Sequence, residues 1–195
     1  MELSAALPFD LLSLATSFFE NVTNGTVEIY NEFSFQHELG IWLRLMLPPA
    51  YKVQFERNVR FFGLSGENFI KKEIDIVIYD PQKKEKHAIE LKYPRNGQYP
   101  EQMYSFCKDI HFLEQLCSAG FATCQFIVVA DDPLFYQGDA SKPIYQFFRG
   151  KRPISVVIEK PTGEHREQIA LAGVYKVRWE PINGPIKYAL LEIGK

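Results

Sequence analysis

Hydrophobic positions along this chain change period several times, and each change marks an element. Over residues 9–21, Leu11, Leu12, Leu14, Phe18 and Phe19 form a broad apolar face that stops at Asn24-Gly25, the pattern of a helix and its breaker. From Asn31 to Leu47, Phe35, Leu39, Trp42, Leu45 and Met46 recur at helical spacing, and Pro48-Pro49 ends the run. Residues 51–62 alternate instead, with Val53, Phe55, Val59 and Phe61 interrupted near Arg57, which fits a bulge or two short strands. Between Glu73 and Lys92 two Ile- and Val-rich period-2 runs flank the polar turn Pro81-Gln82-Lys83-Lys84-Glu85, the signature of a hairpin. After a polar loop over Tyr93–Tyr99, Pro100 opens a third helix. Its apolar face holds Met103, Phe106, Cys107, Ile110, Leu113 and Cys117, and Gly120 stops it. Ala122–Ala130 is almost continuously apolar towards its end, as suits a central strand covered on both faces.

The order strand, helix, strand predicts a right-handed crossover onto one sheet. A short helix within 141–149 and strands over Ile154–Ile158, Ile169–Trp179 and Ile186–Ile193 follow, extending the sheet or flanking it. The predicted class is α/β, with a mixed sheet flanked by helices and extra C-terminal strands. Residues 1–195 read as one domain, with a core over about 31–130 and an extension over 131–195.

The hairpin carries the chemistry. Paired symmetrically about the Gln82–Lys83 bond, it sets Ile74 opposite Leu91, Ile76 opposite Ile89 and Ile78 opposite His87 on an apolar face. The other face sets Asp75 opposite Glu90, Glu73 opposite Lys92 and Val77 opposite Ala88. Opposed side chains of an antiparallel pair lie about 5 Å apart at Cβ. Two carboxylates and an ammonium therefore crowd one patch, expected on the face away from the core. Facing carboxylates destabilise unless neutralised, and two of them with waters suit Mg²⁺. The same alternation also describes any half-solvated strand, and a slip of one residue would separate the charges.

Three neighbours bear on that patch. Glu38 falls inside the apolar stripe of the second helix, where a carboxylate is costly unless it is paired or bound to a cation; at the stripe edge it would simply reach water. Gln102 and Asp109 lie on a neighbouring face of the third helix and approach from the side. Arg95, in the loop after Lys92, reads either as a phosphate contact or as an ordinary surface arginine. Asp131-Asp132-Pro133 reads as a turn rather than a metal pair, and His165 and Arg166 sit in a polar loop with no assigned role.

Composition narrows the partners. A net charge of −2 supplies no general basic field for strong non-specific nucleic-acid binding. A local strip remains, since Arg57, Arg60, Lys71, Lys72, Lys83, Lys84, Lys86 and Arg95 surround the hairpin. Cys107, Cys117 and Cys124 are odd in number and lack Cys-x-x-Cys spacing, so free thiols are expected and a structural zinc site is not. No basic n-region and no uninterrupted apolar run of membrane-spanning length is present, and the expected location is the cytoplasm.

Asp75 followed by Glu90-Leu91-Lys92, with Glu38 upstream, resembles the PD-(D/E)XK nuclease superfamily. The element order is also similar over about residues 31–130, although Ile74 rather than Pro precedes Asp75. The resemblance implies a restriction endonuclease-like mixed β-sheet, dependence on Mg²⁺ (with Mn²⁺ as substitute), and cleavage of nucleic acid, DNA first. It further implies that Asp75, Glu90 and the Leu91 carbonyl hold the metal and that Glu38 completes the site. Lys92 would then assist the attacking water or the transition state. Cutting a duplex takes two active sites or two visits, so a homodimer is one expectation. The alternative is a catalytically silent domain of this fold that binds nucleic acid or protein. A third is an unrelated α/β protein whose charges decorate its surface.

Overall fold

The structure, a computed structural model, describes residues 9–95, 97–163 and 167–194. Two helices, α1 (Leu11–Thr23) and α2 (Glu32–Met46), come first. Side chains fix where they begin. Asp10 accepts a hydrogen bond from the backbone N–H of Leu12 at 3.1 Å, and Asn31 and Ser34 cap α2 reciprocally, each side chain accepting from the other's backbone N–H. Strands β1 (Lys52–Asn58), β2 (Glu73–Tyr79) and β3 (Lys86–Lys92) follow, then α3 (Tyr99–Ser118) and β4 (Thr123–Ala130). The chain ends with α4 (Pro143–Phe148), β5 (Ile154–Glu159), β6 (Gln168–Tyr175), β7 (Glu180–Asn183) and β8 (Ile186–Ile193).

The architecture is α/β. The main sheet has the order β1-β2-β3-β4-β8-β7, and β5 and β6 form a separate two-stranded sheet. β3 and β4 are parallel, joined across α3; β1-β2, β2-β3, β4-β8 and β8-β7 are antiparallel. Residues beyond 131 thus contribute in two ways, β8 pairing along β4 from Cys124↔Ile193 to Ala130↔Lys187 and β5-β6 standing apart. The run expected as one strand over Ile169–Trp179 is broken, because β6 ends at Tyr175 in the small sheet and β7 begins at Glu180 in the large one. Among the described residues no helix is long and apolar enough to cross a membrane. His165 and Arg166 lie outside the described residues.

Both faces of the sheet are covered. Ile76, Ile78, Ile89, Leu91, Ile127 and Val129 pack with Phe18, Phe35, Leu39 and Leu43 of α1 and α2. Val77, Ala88, Phe126 and Val128 pack on the other face with Phe106, Ile110 and Leu113 of α3. The face that carries Asp75, Glu90 and Lys92 is therefore not the solvent face that alternation suggested. A crossover helix must lie on one side of a parallel pair, and α3 lies on this one.

Glu114 of α3 fixes the small sheet to that layer. Its carboxylate accepts from Ala172 N–H at 3.0 Å, from Gly173 N–H at 2.7 Å and from the Tyr175 hydroxyl at 2.8 Å. Glycine is required at 173, since a Cβ there would stand 2.3 Å from the Tyr175 hydroxyl oxygen.

Candidate active site

The hairpin pairs as expected through Ile78↔His87, Val77↔Ala88 and Ile76↔Ile89, and the ladder stops there. Side chains take over. Leu91 N–H donates to Asp75 Oδ2 at 2.8 Å, and Asp75 N–H donates to Glu90 Oε1 at 3.2 Å. The ladder between β1 and β2 is interrupted at the same level. Phe55↔Ile76 and Arg57↔Ile74 pair in one register, the pair between them is missing, and Glu56 has φ 47°. The irregularity expected near Arg57 is thus a kink at Glu56 within one strand. Gln36 of α2 bridges the gap, donating to the Asp75 carbonyl at 2.9 Å and to Glu56 Oε1 at 2.7 Å. Irregular strand geometry beside a cluster of charge is a frequent way of re-aiming side chains at a site.

Asp75, Glu90 and Lys92 meet, and three further charged residues join them. Lys71, just before β2, places its ammonium against Glu90, 3.0 Å from Asp109 Oδ1 and 3.7 Å from Asp75 Oδ1. Lys92 Nζ lies 3.4 Å from Asp109 Oδ2 and 3.8 Å from Glu32 Oε1, and donates to the Leu91 carbonyl at 2.8 Å. The second Glu32 oxygen accepts from Tyr93 N–H at 3.1 Å. Four carboxylates (Glu32, Asp75, Glu90 and Asp109) thus face two ammoniums, Lys71 and Lys92.

The balance of charge shows in the proton affinities. Burial, then the Asp75 and Asp109 carboxylates, raise the pKa of Glu90 well above its ordinary value, and Lys71 opposes them only in part. Burial would lower the pKa of Lys92, but Asp109, Asp75 and Glu32 outweigh it and hold the ammonium more firmly than usual. Lys71 behaves likewise, its burial outweighed by Glu90, Asp109 and Asp75. One buried acceptor, Asp109 Oδ2, has no hydrogen-bond partner beyond its ionic contact with Lys92. A cavity of about 300 Å³ lined by Glu32, Phe33, Gln36, Glu56, Asp75 and Leu91 opens onto the cluster from the α2 side.

Glu38 is not part of the cluster. It is partly exposed and lies 3.6 Å from His37 Nδ1. Glu32 and Gln36, four residues apart, present one face of α2 to the site, and Glu38 is rotated about 200° from Gln36 at 100° per residue. The α2 carboxylate that reaches the hairpin motif is Glu32, 3.8 Å from Lys92, while Asp109 of α3 lies nearer, at 3.4 Å. Glu32 stands in the first turn of α2, where an acid also suits the helix dipole, so its residue type alone marks no site. Asp109, expected to approach from a neighbouring face of the third helix, is 3% exposed and meets both Lys71 and Lys92. Lys71 stands out in the sequence only as one of the basic residues around the hairpin, and a loop position has no periodicity to aim it at the carboxylates. Arg95 is engaged by Asp131, while Asp132 accepts from Leu134 N–H at 2.9 Å and from the Tyr99 hydroxyl, so this acidic doublet serves a turn and its neighbours.

The charge of the cluster fits a divalent cation, and the unpartnered Asp109 oxygen fits an additional ligand or bound water. The fit is incomplete as the side chains stand. Among the described residues no three His, Cys, Asp or Glu side chains form a ready ligand set, and the point where carboxylates converge is held by the Lys71 ammonium. Comparison with protein-family models, with curated proteins and with solved structures yields no match. The functional reading therefore stands on the site's geometry.

Proposed function

We propose that this cluster is the site of a metal-dependent phosphodiester hydrolase of the PD-(D/E)XK kind, acting on nucleic acid with DNA as the first substrate to test. The observation that carries the reading is the excess of buried and half-buried carboxylate over ammonium around Asp75 and Glu90-Leu91-Lys92, at a break in two strand ladders. Asp75 and Glu90 would hold Mg²⁺ or Mn²⁺, the Leu91 carbonyl, which accepts from Lys92, would join them, and Glu32 would replace Glu38 as the α2 carboxylate. Such an ion polarises a phosphoryl oxygen and lowers the pKa of bound water. Lys92, held by Asp109 and Glu32, keeps a positive charge beside the position where negative charge develops on phosphorus. Gln36 and Glu32 orient the strand ends from the α2 side. Cleavage of both strands of a duplex would call for a homodimer or successive visits.

A second reading has its own support. Lys71 supplies a counter-charge from within the chain, which is what a silent, binding-only domain of the same fold would use in place of a metal. Incubation of the purified protein with supercoiled plasmid and with single-stranded DNA and RNA separates the two. Hydrolase activity predicts products with Mg²⁺ or Mn²⁺, none with excess EDTA and none from Lys92→Met. Intact substrates throughout, with a folded protein that retains them on a gel, would select the binding module.

A further inference from the structure

Lys71 approaches the carboxylates from outside the regular elements. It stands between the short 3-10 turn Gly66–Asn68 and β2, and its ammonium is shared by Glu90, Asp109 and Asp75. Few backbone bonds hold this segment: Ile70 N–H donates to Gln115 Oε1 at 3.0 Å, Gln115 Nε2 donates to the Asn68 carbonyl at 3.2 Å, and Val59 N–H donates to the Lys72 carbonyl at 2.8 Å. Ile70 itself is exposed. An Mg²⁺-sized ion bound through Asp75 and Glu90 needs their oxygens at about 2.1 Å. Lys71 Nζ stands in that space, and two cations repel strongly at such separations.

We propose that Lys71 is a tethered counter-cation of this site, and that it and a divalent metal ion occupy the carboxylates alternately. The inference rests on the metal-holding reading above and adds how access to that site is controlled. Glu90, Asp109 and Asp75 all hold the Lys71 ammonium by ion pairs. A competing cation has to displace it. Asp109 Oδ2, buried and without a hydrogen-bond partner, has only the ionic contact with Lys92 at 3.4 Å, so the two ammoniums together leave an acceptor of the cluster open to a further ligand. Once displaced, Lys71 remains tethered beside the site as a free positive charge suited to a phosphate of the substrate.

Calorimetric titration of the full chain with Mn²⁺ tests the exchange, using wild type, Lys71→Met and Lys71→Arg. Removing the charge should tighten Mn²⁺ binding about tenfold or more, and Lys71→Arg, which keeps it, should not. Equal Kd values for wild type and Lys71→Met overturn the role of Lys71 and leave the metal-holding reading standing. No Mn²⁺ binding by any of the three folded proteins overturns both. Hydrogen exchange on wild type supplies a check that needs no variant. Bound Mn²⁺ should speed exchange at the amides of residues 70–72, and Mn²⁺ binding that leaves those amides unchanged means that Lys71 has not moved and overturns the proposal.

Discussion

Asp75 has two roles that substitution can separate. Its Oδ2 accepts the buried Leu91 N–H at 2.8 Å where the hairpin ladder has ended, which is a structural task. Its charge sits 3.7 Å from Lys71 and raises the pKa of Glu90, which belongs to the site. Asp75→Asn keeps an oxygen for Leu91 and removes the charge. Lost attraction to Lys71 is offset by relieved repulsion from Glu90, so the net change should stay within about 1 kcal/mol. Asp75→Ala removes the acceptor as well and strands a buried N–H, at a cost of about 1–3 kcal/mol. For a chain of this size each kcal/mol moves Tm by about 2–4 °C. Thermal unfolding should therefore find Asp75→Asn close to wild type and Asp75→Ala several degrees lower. Both should fail to cleave nucleic acid, and both should bind Mn²⁺ at least about tenfold more weakly. An Asp75→Asn protein that cleaves and binds Mn²⁺ as wild type does would refute the assignment and leave Asp75 a hydrogen-bond acceptor alone.

Glu114→Ala leaves two backbone N–H groups and the Tyr175 hydroxyl without their acceptor; it should cost about 3 kcal/mol or more in urea unfolding and speed hydrogen exchange over residues 154–175, whereas Glu114→Gln should cost about 1 kcal/mol. His87 is fully buried, and burial lowers its pKa below the ordinary 6.5. Its unfolded form binds more protons below that value, so its contribution to stability is present above about pH 6.5 and is lost as pH falls towards the folded-state pKa. Glu90, with a raised pKa, acts in the opposite sense, stabilising below its unfolded value and losing that contribution as pH rises. The difference between wild type and His87→Leu isolates the histidine: the variant should lose less stability between about pH 7 and pH 5. Glu32→Gln should lower cleavage about tenfold or more with less than about 1 kcal/mol change in stability, because Glu32 is half exposed, while Glu38→Gln should leave both unchanged.

Much of the sheet was legible because hydrophobic period and turn chemistry are local signals. The Pro81–Glu85 turn fixed the hairpin register at Ile76, Val77 and Ile78, and all eight residues of β4 are buried, as its apolar run implied. The site was legible only where it lay on those strands. Asp75, Glu90 and Lys92 meet because a hairpin brings them together, but the face they share is covered by α3, which strand alternation cannot reveal. Helix phase accounts for Glu38: a place beside the apolar stripe of α2 is not a place beside the strand ends, towards which α2 turns Glu32 and Gln36. Lys71 was legible as a basic neighbour of the hairpin, but its contact with the carboxylates was not, since that follows from how a loop of irregular backbone folds over the finished sheet.

The most direct test is diffraction from crystals soaked in Mn²⁺, with data collected to record its anomalous signal. The account predicts a peak about 2.1 Å from carboxylate oxygens of both Asp75 and Glu90, with Lys71 withdrawn. A well-ordered site without such a peak, and with Lys71 still bridging Glu90 and Asp109, would contradict it.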